Sequence, residues 1–249
     1  MMKNNIYYVN SNIYFFMIIL YKVNSMDDLA IVVFSCDKNE ELWPIFLHFL
    51  DKNWPDHPKT YLFTESIFSP LISTITHPCK IKHWTRRIRK SLMDIKENKV
   101  IFICDDCFLN KTVNVDKLKR CYEILDKDNV ASINFEISFD PNDASCEYEG
   151  FKKKTNKSRI VLSLLCGIWN KEALIDLLSI RDCDPWEVET RQEYKEYEYY
   201  QVCDDKILSW FRDGPYQCAA IFRGKWSKEA VNFINNEGLV VDFEKKGFN

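Results

Sequence analysis

Short runs of apolar residues alternate along the chain with segments in which apolar residues recur at helical spacing. The runs are rich in β-branched and aromatic residues and predict buried strands over 29–34, 60–64, 99–104 and 130–135. Helical spacing predicts helices between them, over 40–52, 85–96 and 116–125. Strands and helices that alternate in this way favour an α/β fold with a mostly parallel sheet flanked by helices.

Weaker signals predict further elements, and most of them lie in a less regular second half. A polar stretch over 140–157 predicts a long loop, and the tyrosine-rich stretch 194–200 fits either an acceptor-binding segment or an amphipathic surface. Additional strands are predicted at 81–83, 160–165 and 219–222. Additional helices are predicted at 170–178, with Asn170 as the N-cap, and at 228–235, whereas 184–189 predicts a helix or a turn.

Residues 1–28 are predicted to lie outside the fold, which leaves 29–249 as one domain. The apolar segment 13–21 is shorter than the roughly 20 residues that a membrane-spanning helix needs, and no small-residue cleavage site accompanies it. We interpret residues 1–28 as an upstream extension. The second interpretation is a segment that associates weakly with a membrane.

Composition and charge narrow the classes of function. A hydrophobic content of 46% is enough for a sizeable core, and a net charge of -3 gives no reason to expect nucleic acid as a partner. Ten cysteines are scattered through apolar segments, which favours a reduced, cytoplasmic protein over a disulfide scaffold. Cys104 and Cys107 match C-x-x-C, but without a second pair this spacing is a weak signal for zinc or redox chemistry.

The strand predicted over 99–104 ends in two adjacent carboxylates, Asp105 and Asp106. Open α/β sheets bind ligands just outside the carboxyl ends of their strands. Hard oxygen ligands at such a place suit Mg²⁺ or Mn²⁺ bound to a diphosphate. The alternative is a strand followed by a solvated turn.

Several short motifs together resemble the GT-A-fold nucleotide-sugar glycosyltransferases, in particular small bacterial enzymes of capsule and lipopolysaccharide assembly. The resemblance covers about 29–238 and depends on the order and spacing of the motifs. They are Ser35-Cys-Asp-Lys38, Leu42-Trp43, Trp54-Pro55, Trp84-x-x-Arg87, Asp105-Asp106, Leu165-Cys-Gly-Ile-Trp169-Asn170, Pro185-Trp-Glu-Val-Glu189 and Gly224-Lys225-Trp226.

The resemblance implies a donor site that holds a nucleotide sugar and a divalent cation, Mn²⁺ or Mg²⁺. Asp106 falls at the metal-binding position, with Asp105 as a second ligand or a ribose contact, although a full D-x-D motif is absent and cysteines flank the pair. Asp37 is placed at the base or ribose, with helix capping as its alternative role. Arg87, within a basic run that also fits a solvated face, and Lys225 are placed at the diphosphate.

The resemblance also implies a general base for the acceptor, and Glu187 and Glu189 are the candidates. Only one of them can face the site if the segment is extended, and Glu189 is preferred. An exposed acidic turn is the alternative. Trp169 and Trp186 fit either the floor of a sugar site or the core.

The sequence therefore predicts a cytoplasmic, inverting glycosyltransferase of surface-polysaccharide biosynthesis, active on a glycan or a lipid-linked acceptor. Peripheral contact with the inner face of a membrane is compatible with this function. One alternative is a nucleotidyltransferase that acts on a sugar phosphate, but residues 34–38 lack the glycine-rich loop typical of that class. A phosphohydrolase fits less well because Cys107 stands where another acid is needed. A catalytically inactive GT-A-like binding protein is the third alternative.

Overall fold

A computed structural model describes residues 26–136, 140–190, 196–204, 206–212 and 219–248. Within these residues, one sheet contains the strands β1 Leu29–Phe34, β2 Lys59–Thr64, β3 Ser73–Thr76, β4 Lys99–Cys104, β5 Val130–Asn134, β6 Ala144–Ser145, β7 Phe151–Lys153, β8 Cys166–Asn170 and β9 Glu198–Val202. A separate hairpin contains β10 Ile221–Phe222 and β11 Lys225–Trp226. The helices are α1 Leu42–Asn53, α2 Trp84–Met93, α3 Val115–Ile124, α4 Lys171–Leu178, α5 Pro185–Thr190 and α6 Lys228–Asn236.

The sheet has the order β3-β2-β1-β4-β8-β5-β9-β7-β6. Its pairings give seven strands one direction, and β7 and β8 run the opposite way. The predicted α/β fold with a mostly parallel sheet is therefore confirmed. From β1 the chain adds β2 and β3 on one side and then returns to add β4 on the other, so the strand order reverses between β1 and β4.

Helices cover both faces of the sheet because successive residues of each strand point to opposite faces. In β1, Leu29, Ile31 and Val33 pack in a core with α1, α3 and α6. Ala30 and Val32 pack in a second core with α2 and α4. This burial on both faces explains why the central strands are continuous apolar runs.

Two predicted strands are wrong. Residues 81–83 form a 3₁₀ turn, and the third strand is β3, a partly exposed strand whose sequence Ser-Thr-Ile-Thr carries little apolar signal. Residues 160–165 lie outside the sheet, and the next five residues form β8 instead. A Cβ at Gly167 would approach the carbonyl oxygen of Ile133 to 2.8 Å, so the glycine allows β8 to lie close to β5.

Other second-half predictions are refined. The predicted loop 140–157 contains the β6–β7 hairpin, and the predicted strand 219–222 is reduced to β10. Asn170 caps α4, since its side chain accepts hydrogen bonds from the backbone of Glu172 and Ala173. The tyrosine-rich stretch continues into β9, and its first part, 194–195, lies outside the described residues.

The predicted extension is described only at its last three residues. Asp28 accepts hydrogen bonds from the backbone and side-chain nitrogens of Asn98 at 2.8 and 3.0 Å, so residues next to β1 contact the sheet. Residues 1–25 lie outside the described part of the chain. Among the described helices, none has the length and apolar character needed to cross a bilayer.

Candidate functional site

The candidate site lies at the carboxyl ends of β1 and β4, where the strand order reverses. Phe34 and Cys104 are register partners on these two parallel strands, so the next residues, Ser35 and Asp105, meet at the edge of the sheet. Ligands of open α/β sheets bind at such switch points. A cavity of about 530 Å³ opens here.

The cavity is bounded by several parts of the chain. Its walls include residues that follow β1, β2, β4 and β5, together with α2, the segment 160–165 and α5. The polar or ionisable residues that line it are Ser35, Cys36, Asn39, Glu65, Arg87, Cys104, Asp105, Glu136, Ser163 and Glu189. Four of these are carboxylates, which makes the cavity acidic.

Asp105 is held firmly at one wall of this cavity. It is 1% exposed, and its carboxylate accepts hydrogen bonds from the hydroxyl of Ser35 and from Nδ2 of Asn39, the latter at 3.0 and 3.2 Å. The Ser35 oxygen in turn accepts a hydrogen bond from Nε1 of Trp43 at 2.7 Å. These neutral donors orient Asp105 without bringing a positive charge to it.

Asp106 does not share the partners of Asp105 and contacts the backbone of residues 220–221. Its carboxylate accepts a hydrogen bond from the backbone of Ile221, and its carbonyl oxygen accepts one from the nitrogen of Ala220 at 3.2 Å. Of the two aspartates, only Asp105 lines the cavity. The metal and ribose roles predicted for the pair stay predictions.

The residues at the end of β4 fit a divalent cation. Ligand atoms of Cys104, Asp105 and Asp106 lie within 4.8 Å of one another. Burial, followed by the charge of Asp106, raises the pKa of Asp105 to about 7, and burial also raises the pKa of Asp106. A cation relieves the repulsion between the buried carboxylate of Asp105 and the partly buried one of Asp106. Burial keeps the pKa of the Cys104 thiol well above its ordinary value, so the carboxylates are the donors suited to Mg²⁺ or Mn²⁺.

Lys246 brings a positive charge to the same region from the far end of the chain. Its ammonium donates hydrogen bonds to the carbonyl of Lys38 at 2.6 Å and to Oδ1 of Asn39 at 2.9 Å. It also forms an ion pair with Glu41 at 3.0 Å. Asn39 therefore connects Lys246 to Asp105.

Asp37 holds the loop that follows β2. Its carboxylate accepts hydrogen bonds from the backbone nitrogens of Glu65, Ser66 and Ile67 at 3.1 to 3.2 Å, and from the Ser66 hydroxyl. Although burial opposes it, these hydrogen bonds lower the pKa of Asp37. Asp37 therefore caps the backbone of this loop and does not cap a helix as its alternative role predicted. The N-cap of α1 is Glu41, which makes no side-chain capping hydrogen bond. Contact of Asp37 with a nucleotide stays a prediction.

Arg87 lies in the cavity wall as part of the protein framework. Its guanidinium donates to the carbonyl of Ser35 at 2.7 Å and to that of Phe63 at 3.1 Å, which joins the ends of β1 and β2. Glu65 lies 3.7 Å away, and the Arg87 side chain is 1% exposed. Its buried Nε has no hydrogen-bond partner among the described residues. A phosphate contact stays a prediction for this residue.

The two predicted base candidates occupy different environments on α5. Glu189 lines the cavity and accepts hydrogen bonds from the nitrogen of Leu164 at 2.6 Å and from the Ser163 hydroxyl at 3.4 Å. Burial raises the pKa of Glu189, and the charge of Glu136 adds to this. Glu187 is exposed and exchanges hydrogen bonds with Asp184 in a reciprocal helix cap.

Three other predicted residues are also located. Lys225 is exposed on β11 and does not line the cavity. Trp169 is 1% exposed in the core of the sheet, where its ring contacts Tyr199, so of its two predicted roles it has that of a core residue. Trp186 lines the cavity and is 68% exposed. Stacking of a sugar on Trp186 stays a prediction.

Sequence reasoning gave no role in this region to Ser35, which it named only as part of a motif, and missed Asn39, Glu136 and Lys246. Glu136 follows β5, lines the cavity and pairs with Arg212 at 2.7 Å. The signal for Ser35 and Glu136 was their place directly after predicted strands. Asn39 and Lys246 carried no comparable signal, because their positions depend on turns and on contacts between distant parts of the chain.

Comparisons with known proteins give only remote likenesses. No protein-family model matches this sequence, and a search of curated proteins found no match. Solved structures that resemble the chain include S. aureus TarS residues 1–349 in complex with UDP, 2-C-methyl-D-erythritol 4-phosphate cytidylyltransferase from Thermus thermophilus, and a cytidylyltransferase from Leptospira borgpetersenii.

The likeness to the TarS fragment has a TM-score of 0.46 and 16% identity, over 87% of this chain and 67% of that one. For the Thermus enzyme the TM-score is 0.47 and the identity 6%, over 84% of this chain and 98% of that one. For the Leptospira enzyme the TM-score is 0.45 and the identity 9%, over 72% of this chain and 77% of that one. This chain spans 40% of a longer TarS structure. Likenesses this remote identify neither a family nor an activity.

Proposed function

We propose that the chain is a glycosyltransferase that moves a sugar from a nucleotide-diphosphate donor to a hydroxyl group of a glycan or a lipid-linked acceptor. The observation that carries this proposal is the cavity between the ends of β1 and β4, to which separate parts of the chain bring the carboxylates of Asp105, Glu136 and Glu189. A donor diphosphate needs a cation and an acceptor hydroxyl needs a base. Carboxylates in one cavity can meet both needs.

Asp105 and Asp106 are the residues that would hold Mn²⁺ or Mg²⁺ on the donor side. When bound, the cation neutralises the charge that develops on the departing nucleoside diphosphate. Ser35 and Asn39 already orient Asp105, so little of its side-chain freedom remains to be lost on binding. Lys246 contributes a further positive charge beside Asn39.

Glu189 is the proposed general base on the acceptor side. It takes the proton of the acceptor hydroxyl while that oxygen bonds to the anomeric carbon of the donor sugar. The bond between this carbon and the diphosphate oxygen breaks, and its electron pair leaves with the nucleotide, so the configuration at the anomeric carbon is inverted. Burial raises the pKa of Glu189, which makes its carboxylate a better proton acceptor.

A reduced, cytoplasmic setting and a role in surface-polysaccharide biosynthesis complete the proposal. Cys36, Cys104, Cys107, Cys121 and Cys166 are free thiols, as expected for a reducing compartment.

The test is a thermal-shift screen of the full chain with UDP-, GDP-, CMP- and TDP-sugars, with and without Mn²⁺. We expect one of the nucleoside-diphosphate sugars to raise the melting temperature in the presence of Mn²⁺, and Asp105→Asn to abolish the shift, whereas a shift with the CMP-sugar alone contradicts a diphosphate donor. Asp128→Asn is the matched control and retains the shift, because Asp128 is an exposed acid just before β5, at the amino ends of the parallel strands and away from the cavity. Absence of a shift with every nucleotide contradicts the proposal.

A second assay separates the proposed activity from its alternative. The chain is incubated with each nucleoside triphosphate and a hexose 1-phosphate, and pyrophosphate release is measured. A nucleotidyltransferase releases pyrophosphate, whereas the proposed glycosyltransferase does not.

A further inference from the structure

Three large apolar side chains are exposed around the opening of the cavity. Ile81, Ile160 and Trp186 are 62%, 55% and 68% exposed, and all three line the cavity. Single exposed apolar residues are ordinary on protein surfaces, but three of them at one opening form a cluster that needs an explanation. We call these three residues the apolar rim.

Cations flank the apolar rim in the sequence. Ile81 stands between the exposed residues Lys80 and Lys82, and Ile160 follows the exposed residue Arg159. Exposed Arg181 lies close before Trp186 in the chain. The protein as a whole has a net charge of -3, so the cations at the rim are a local feature.

Contacts between two of these segments join them into one surface. The hydroxyl of Thr85, at the start of α2, donates to the carbonyl of Arg181 at 3.1 Å and accepts from the nitrogen of Cys183 at 3.1 Å. Arg86 and Asp182 form an ion pair beside them. The turn that carries Ile81 and the segment that leads to Trp186 are therefore fixed side by side.

The acids near the rim are largely engaged within the protein. Asp182 pairs with Arg86, and His83 lies 3.4 Å from the same carboxylate. Asp184 and Glu187 bond to each other's backbone nitrogens. These two carboxylates keep their charge, but the exposed cations Lys80, Lys82, Arg159 and Arg181 outnumber them, so the surface around the rim offers a partner an excess of positive charge.

We propose that this face of the protein, which includes the opening of the cavity, docks on a bilayer that contains anionic lipids. Isoleucine and tryptophan side chains enter the boundary between headgroups and acyl chains, and flanking lysines and arginines attract anionic headgroups. A nucleic acid or another soluble polyanion complements the cations but gives no partner to Ile81 and Ile160. The proposal uses neither the carboxylates of the cavity nor a donor nucleotide, so it stands or fails separately from the proposed activity.

The test is flotation of the full chain with vesicles of phosphatidylcholine alone or with one quarter phosphatidylglycerol. We expect binding to the anionic vesicles and little to the neutral ones. The triple variant Lys80→Glu/Lys82→Glu/Arg159→Glu reduces binding about tenfold or more, because each basic residue near an anionic surface contributes several-fold. The triple variant Ile81→Ser/Ile160→Ser/Trp186→Ser also reduces it at least about fivefold, because it removes the apolar area that enters the bilayer.

The control variant is Lys96→Glu/Lys127→Glu, which reverses two exposed charges at the opposite edge of the sheet and leaves binding within twofold. All variants keep residues 1–25, so binding through that segment gives no difference between them. The proposal is overturned if anionic vesicles are not bound, or if both rim variants bind like the unmodified chain. It is also overturned if the serine variant alone binds normally, or if poly(U) binds as tightly as the vesicles with the same dependence on the rim.

Discussion

The hydroxyl of Ser35 donates a hydrogen bond to the carboxylate of Asp105, and this contact joins the ends of two neighbouring parallel strands. The Ser35 oxygen also accepts a hydrogen bond from Trp43 on α1. A helix on one face of the sheet thereby helps to orient the carboxylate in the cavity. Ser35 and Trp43 belong to two of the motifs on which the family resemblance depends. In the structure both residues position Asp105.

The substitution Ser35→Ala tests this relationship. It removes one donor to Asp105 and leaves the indole nitrogen of Trp43 without its acceptor, so we expect the free energy of unfolding to fall by about 1–3 kcal/mol. The affinity for nucleotide in the presence of Mn²⁺ is expected to fall by about tenfold, since a loss near 1.4 kcal/mol corresponds to that factor. Urea unfolding and calorimetric titration measure the two effects. Ser73→Ala on the exposed start of β3 is the control, and equal effects of both variants would argue against the positioning role.

The substitution Asp37→Asn is expected to destabilise the fold by about 1–3 kcal/mol at pH 7, because a carboxylate that accepts several hydrogen bonds is replaced by a neutral amide. The pKa of Asp37 is lowered from 3.8, so the folded state favours its ionised form. This stabilisation is complete above about pH 4 and disappears as the pH falls further, through the lowered pKa.

The measurement is the difference in unfolding free energy between the unmodified chain and Asp37→Asn from about pH 7 to about pH 2.5. We expect the difference to shrink below about pH 4. Asp56→Asn, at an exposed position after α1, should show little difference at any pH. If the difference in unfolding free energy between the unmodified chain and Asp37→Asn stayed constant with pH, the assigned hydrogen-bonding role would be contradicted.

Arg87→Met is expected to cost about 3–5 kcal/mol of stability, because it leaves the carbonyls of Ser35 and Phe63 and the carboxylate of Glu65 without their buried cation. Arg89→Met changes the same residue type at a more exposed place on α2 and should cost under about 1 kcal/mol. Urea unfolding compares the two. If Arg87→Met were as stable as Arg89→Met and lost only nucleotide affinity, a direct phosphate role would be favoured.

Glu189→Gln is expected to lower kcat about 10²- to 10⁴-fold once a donor and an acceptor are identified, since that is the usual contribution of a general base. Glutamine keeps a side-chain oxygen that can accept from Leu164, so the wall of the cavity is preserved. Glu187→Gln, on the exposed side of α5, is the matched control and should retain most of the activity. If Glu136→Gln lost activity while Glu189→Gln did not, the base would be reassigned to Glu136.

The sequence was most informative for the central strands and the helices that cover them. β1 and β4 are buried on both faces and are almost continuous apolar runs, and β2 and β5 contain shorter apolar stretches, so all four can be recognised without any tertiary information. β3 was missed because its residues are only partly buried. β8 was displaced in the prediction because residues 160–165 are as apolar as a strand but pack outside the sheet.

The candidate site was only partly predictable, because some of its residues carry local sequence signals and others are placed by contacts between distant parts of the chain. Asp105 and Glu189 carried local signals, a strand end and an acidic motif next to tryptophan. Asn39 and Lys246 meet through a contact between residues 207 positions apart, which no local pattern reveals. The basic run on α2 gave no indication that Arg87 is buried against two carbonyls while the other basic residues of the run are more exposed.

The contact of Lys246 with Asn39 has a practical consequence for work on this protein. Asn39 holds Asp105, so the surroundings of this carboxylate are complete only when the segment after α6 has folded back onto the turn after β1. Helical content measured by circular dichroism does not report this contact, because Asn39 and Lys246 lie outside the α-helices. Under the proposed function, titration with the donor nucleotide would instead count the molecules of a preparation in which these two distant segments are in contact.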